Sequence, residues 1–169
     1  MAYYQMAPIM CALVQTELYM HLYMNQIASG TNPSPNQLVI IPQPGFGLTA
    51  VNDWSLTEQP GATNPPVGHA KGFHMLASQG NVNWYISWNI IFEDSSFPGS
   101  TLNVMGLHSG NGEWSIVGGT GRFSLAHGTI KYKVIQTKAG QAIYDLDIHA
   151  FYADMGPSAP PCNKWRFGS

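Results

Sequence analysis

IVGGTGRFSLAHG, residues 116–128, decides the fold. Two adjacent glycines, a threonine, a third glycine and an arginine stand between apolar residues. A phosphate loop needs a lysine after its glycines and a helix whose N-terminus faces the anion. Here Arg122 and Phe123 follow Gly121, and then comes more strand-like sequence. A dinucleotide fingerprint needs a glycine where Ser124 stands. What remains is a strand, a tight glycine turn and a second strand, with glycine supplying the positive φ of the turn. The stretch predicts a β-hairpin, and no cofactor is expected.

Strand signals continue on both sides. TELYMHLYM (16–24), GFGLTAVND (45–53), GHAKGFHMLAS (68–78) and VNWYISWNIIFE (82–93) are rich in aromatic and β-branched residues. STLNVMGL (100–107), EWSIV (113–117), RFSLAHGTIKYKV (122–134) and QAIYDLDIHAFYA (141–153) follow. Between them lie SGTNPSPNQ, EQPGATNPP, SQGN, EDSSFPG, HSGNG, GGTG and KAG, all of turn composition. Eight strands at hairpin spacing, without helical periodicity, predict an all-β antiparallel barrel or sandwich. The period of two is clear in 82–93: Trp84, Ile86, Trp88, Ile90 and Phe92 share one face, and Tyr85, Ser87, Asn89 and Glu93 the other. In 141–152, Ala142, Tyr144, Leu146 and Ile148 oppose Asp145, Asp147 and His149. The expected organisation is an N-terminal extension (1–15), one barrel domain (16–153) and a Gly/Pro-containing tail (154–169) of linker composition.

Composition excludes several function classes. Seven Lys and Arg against nine Asp and Glu give a formal charge of −2, no footprint for nucleic acid or an anionic membrane. Charged residues are only 9 % of the chain, against about 25 % in ordinary globular domains. A surface so poorly charged is weakly protected against self-association, so a homo-oligomer is expected. No apolar run is long enough to span a membrane as a helix. The start, MAYYQMAPIMCALVQ, lacks a basic leader and a continuous apolar core, so the expected location is cytoplasmic. Cys11 and Cys162 are too few for a disulfide framework, and reduced thiols are the default. Asp145, Asp147 and His149 share a strand face and offer metal-ligand atoms, but a flat strand converges poorly on one ion. A polar outer face is the expected role, and no metal site is expected.

The glycine stretch also resembles the signature of the dirigent family, plant proteins in which a VVGGTG turn leads into an FxxARG-like segment. VNDWSLTEQP is similar to that family's Asp-Asp-Pro-Leu-Thr region, PPVGHAKGFHM to its Val-Gly-Arg-Ala-Gln-Gly strand, and STLNVMG to its STL-hydrophobic-Gly strand. The resemblance covers roughly residues 16 to 153 with the motifs in order. It implies an eight-stranded antiparallel barrel, usually a trimer, with a dimer as the second choice here. Active members steer the coupling of two monolignol-derived radicals, using carboxylates, a tyrosine and an arginine in an apolar lumen. By the resemblance, the first-strand aspartate falls at Leu22, the lumen tyrosine at Leu76 and the second aspartate near His108. The loop arginine falls near Gly112, in the shortened loop LHSGNGEW that also carries Asn111, and the strand arginine falls at His69. Asp53 matches the acidic turn and is expected to cap it at a strand end.

Leucine neither donates nor accepts a proton, so the resemblance implies a retained fold with lost chemistry and no catalytic residues. His108, titrating near neutral pH, is the one group expected to rescue a transfer. Candidate ligand-binding residues are His74, His108, Tyr144, Leu22, Leu76 and Asn111, around an apolar and aromatic lumen. The absent leader, absent carboxylates and Pro-rich tail resemble the grass chimeras in which a dirigent-like domain precedes a jacalin-related lectin domain. The expected function is therefore a non-catalytic binding domain of a defence-related lectin, with a mono- or oligosaccharide as ligand. One alternative is an active dirigent protein with a phenolic ligand, and another is a purely structural oligomerisation domain.

Overall fold

The computed structural model describes residues 15–138 and 140–153. They form nine strands in chain order: β1 (Gln15–Ile27), β2 (Gln37–Ile41), β3 (Thr49–Thr57), β4 (Gly68–Leu76), β5 (Trp84–Phe92), β6 (Thr101–His108), β7 (Gly112–Thr120), β8 (His127–Lys138) and β9 (Gln141–Ala153). Eight of them close an antiparallel barrel in the order β1-β9-β8-β7-β6-β5-β4-β3, with β3 returning to β1. The expected eight-stranded barrel is present. The ninth strand, β2, is new relative to the sequence reading, which placed Gln37 in a turn.

β2 exists because β3 is paired unequally. Ser55–Thr57 pair with β1, whereas Thr49–Asn52 have no barrel neighbour on that side and take β2 instead. Asn36 staples this seam. Its Oδ1 accepts from Ile27 N at 2.8 Å, its Nδ2 donates to the Asn25 carbonyl at 2.9 Å, and its carbonyl accepts from Asp53 N at 2.8 Å. Leu38 and Ile40 remain more than half exposed, so β2 lacks the in/out alternation that marks a strand in sequence.

The core is the barrel interior. The alternation expected over 82–93 places Ile86, Trp88, Ile90 and Phe92 inside, all buried. β9 contributes Tyr144, Leu146 and Ile148, and β1 contributes Leu22 and Met24. Trp114 of β7 stacks on Tyr132 of β8 at 3.7 Å and meets Trp88 edge-on at 5.0 Å. Burying one large apolar side chain contributes about 1.5–3 kcal/mol, so this aromatic layer dominates barrel stability.

The glycine stretch differs from the expected tight hairpin. β7 runs on to Thr120, one residue bulges opposite Asn103/Val104, and Gly121–Phe123 form a 3₁₀ turn before β8 starts at His127. Two glycines serve different needs. A Cβ on Gly119 would stand 2.3 Å from the Phe123 carbonyl oxygen and 2.7 Å from that of Thr101, so the strand approaches closely only because it is bare there. Gly121 turns the chain with φ of +64°. The strand–turn–strand order stands, and the turn lies a few residues further on, in the same connection. Asp53 is a second correction. β3 continues to Thr57, so Asp53 lies within the strand on its outer face and caps nothing; its Oδ1 lies 2.6 Å from His69 Nδ1. The residues of the tail, Cys11 and Cys162 lie outside the described residues.

Candidate functional site

The barrel encloses a cavity of about 260 Å³. Its walls are the indoles of Trp54, Trp84 and Trp114 with aliphatic neighbours, and its polar side chains are Gln26, Gln37, His74, His108 and Tyr144. Among the described residues, none that lines it carries a carboxylate, ammonium or guanidinium group.

Local structure explains each placement. On β4, Ala70, His74 and Leu76 follow the two-residue period, and His74 alone of these reaches the cavity, packed between Trp54 and Trp84 with both ring centroids at 5.1 Å. His108 ends β6 and sits against Tyr132 at 5.0 Å and Tyr144 at 5.4 Å. Its Nδ1 is sealed without a partner among the described residues, leaving Nε2 as its available ring nitrogen. Tyr144, inward on β9, donates from its hydroxyl to Gln26 Oε1 at 2.9 Å.

Burial sets the electrostatics. Desolvation, then the neighbouring His108, pushes His74 down from 6.5 to about 4. Burial also pushes His108 below its ordinary value. Burial, then Tyr132, pushes Tyr144 up to about 12. At neutral pH both imidazoles and the phenol are therefore in their uncharged forms.

Of the six candidate residues, the structure brings His74, His108 and Tyr144 together at the cavity. Leu22 is buried in the core and does not line it. Leu76 is half-buried at the end of β4, its backbone tied to Leu48 and Gly47. Asn111 is exposed in the β6–β7 loop, where its Oδ1 accepts from Val134 N at 3.0 Å. Gln26 and Gln37 were missed: neither has a motif, and Gln37 adjoins the NPSPN turn. His69 and Gly112 also lie away from the cavity lining.

A second hollow, about 460 Å³, lies on the outer face between Tyr19, His21, Lys131, Asp147 and His149. It is larger but is walled by paired surface groups: His21 Nδ1 lies 2.8 Å from Asp147 Oδ1, and His149 Nε2 lies 2.8 Å from Glu17 Oε1. The face expected to be polar is so. His21, Asp145 and Asp147 bring ligand-type atoms within 4.8 Å of one another, but Lys133 Nζ already sits 3.1 Å from Asp145 Oδ2.

Closed barrel and uncharged aromatic lumen together define a β-barrel with an aromatic, uncharged internal cavity. The sequence model of the Dirigent-like protein family matches residues 18–151, and the chain belongs to that family. It is 31 % identical over 144 residues to Dirigent protein 21 of Arabidopsis thaliana, covering 79 % of this chain and 76 % of that one. It is 30 % identical over 166 residues to Pterocarpan synthase 1 of Glycyrrhiza echinata, covering 89 % and 87 %. The solved structure of the pterocarpan synthase dirigent protein GePTS1 superposes with a TM-score of 0.78 at 28 % identity, covering 89 % of this chain and 98 % of that one.

Proposed function

We propose that this dirigent-like chain is a non-catalytic binding module whose lumen holds a neutral, hydroxylated small molecule, a mono- or oligosaccharide first. The observation that carries the reading is the lining: five neutral hydrogen-bonding side chains set among three indoles, with no charged group. An anion or cation entering such a cavity loses its hydration without gaining a counter-charge, a cost of several kcal/mol. A polyhydroxylated ligand presents apolar ring faces to the indoles and hydroxyls to the amides and imidazoles. Catalysis of the dirigent type asks for a positioned acid or base, and the lumen offers only His74, His108 and Tyr144, all shifted away from neutrality.

A phenolic ligand is the second reading. It is favoured by the three indole walls and by relatives named pterocarpan synthase. The proposal extends to a cytoplasmic homo-oligomer preceding a jacalin-related lectin domain, which rests on the composition and the resemblance alone. A glycan array with parallel calorimetry of coniferyl alcohol separates the two ligand classes. Sugar binding abolished by Trp54→Ala supports the first reading. Binding of coniferyl alcohol alone moves the assignment to the second, and binding of neither leaves a structural barrel.

A further inference from the structure

We propose that the lumen is hydrogen-bond polarised from strand β3, so that Tyr144 and His74 face a ligand as acceptors and select hydroxyls that donate. The inference rests on the lumen reading above and names what that site discriminates.

The anchor is Trp54. An indole N–H only donates, and Trp54 Nε1 lies 3.1 Å from the Gln37 side-chain oxygen, which fixes that amide's orientation. The same Gln37 Oε1 accepts from Gln26 Nε2 at 2.9 Å. Both of its lone pairs are then occupied, and the Gln26 amide is fixed in turn with Oε1 toward Tyr144. Tyr144 therefore spends its only proton on Gln26 Oε1 at 2.9 Å. What it retains for a ligand are oxygen lone pairs. Gln37 Nε2, with no protein partner among the described residues, stays free to donate.

A second chain starts two residues earlier on the same face. Asn52 Nδ2 donates to the Ala70 carbonyl at 2.8 Å, which assigns Asn52 Oδ1 as the acceptor opposite His74 Nδ1 at 3.4 Å. His74 therefore carries its proton on Nδ1 and keeps Nε2 as an acceptor. Asn52 and Trp54, both buried on β3, thus set the sense of both lumen groups. β2 acquires a role: it delivers Gln37, the link without which Gln26 is free to flip.

Such a site binds a ligand hydroxyl at Tyr144 and disfavours the corresponding ether, because an ether oxygen has no proton to give. Leaving one buried acceptor unmet costs about tenfold in affinity. Cutting the relay with Gln37→Leu releases Gln26, lets Tyr144 turn its proton toward the lumen, and removes the discrimination. Size effects of the added methyl cancel when the ether-to-hydroxyl ratio is compared between the two proteins.

The test has two arms on the full chain. Nitrogen-15 NMR reports the His74 tautomer, the hydrogen-exchange protection of Trp54 Nε1–H, and the loss of that protection in Gln37→Leu. Calorimetry compares coniferyl alcohol with its 4-O-methyl ether, and methyl galactoside with its per-O-methyl ether. The expected result is an Nδ1–H tautomer and a hydroxyl preference of about tenfold in wild type, falling toward unity in Gln37→Leu. An Nε2–H tautomer, unprotected Trp54 in wild type, or an unchanged ratio in Gln37→Leu overturns the polarity. Binding of none of the four probes overturns the lumen reading, and the tautomer and exchange data still decide the polarity.

Discussion

Replacing His74 with glutamine weakens the coupling of barrel stability to mild acid. In the unfolded chain His74 takes a proton at about 6.5, whereas in the folded barrel burial and the neighbouring His108 hold it down to about 4. The folded state thus binds fewer protons between those values, and stability falls as the pH drops through 6.5 and levels off below 4. At about 1.36 kcal/mol per pH unit the whole effect is about 3 kcal/mol, and the part lost between pH 7 and pH 5 is about 2 kcal/mol. His74 is only 6 % exposed, so solvent screening does not erode this figure much. Urea unfolding at pH 7 and pH 5, for wild type and His74→Gln, measures it. The wild type is expected to lose about 2 kcal/mol more than the variant across that interval. Equal losses in the two proteins refute the burial of an uncharged imidazole in the lumen.

Gly119→Ala is expected to destabilise the barrel by about 1–3 kcal/mol or more, because the new Cβ meets two backbone carbonyls that cannot move aside, and thermal melting reads it. Trp114→Ala removes a buried indole stacked on Tyr132, with an expected loss of about 3–5 kcal/mol in denaturant unfolding. His69→Ala, by contrast, breaks the surface contacts with Asp53 and Glu93, and a loss within about 1 kcal/mol is expected from the same assay.

The barrel was legible where burial differs between the two faces of a strand. Trp84 to Phe92 alternate cleanly because β5 pairs on both edges and buries one side. β2 was illegible for the opposite reason: Leu38 through Ile41 are apolar on both faces and exposed on both, so no period marks them. The glycine stretch announced a turn but not its position, since Gly118 and Gly119 serve close approach inside β7, whereas Gly121 and Leu125 carry the positive φ values of the connection to β8. His74, His108 and Tyr144 were reachable through strand period and family resemblance. Gln26 and Gln37 were not, because their roles follow from a seam between β1, β2 and β3 that only the tertiary pairing creates. Leu22 shows the converse: it stands at a position that implied a lumen group, yet its apolar side chain packs into the core.

The central claim is that this lumen holds a ligand without moving its protons. The most direct measurement oxidises coniferyl alcohol with a laccase in the presence of the chain and resolves the lignans on a chiral column. With His74, His108 and Tyr144 all shifted away from neutrality and no carboxylate lining the cavity, the predicted product is racemic. A clear enantiomeric excess, lost in Tyr144→Phe, contradicts it.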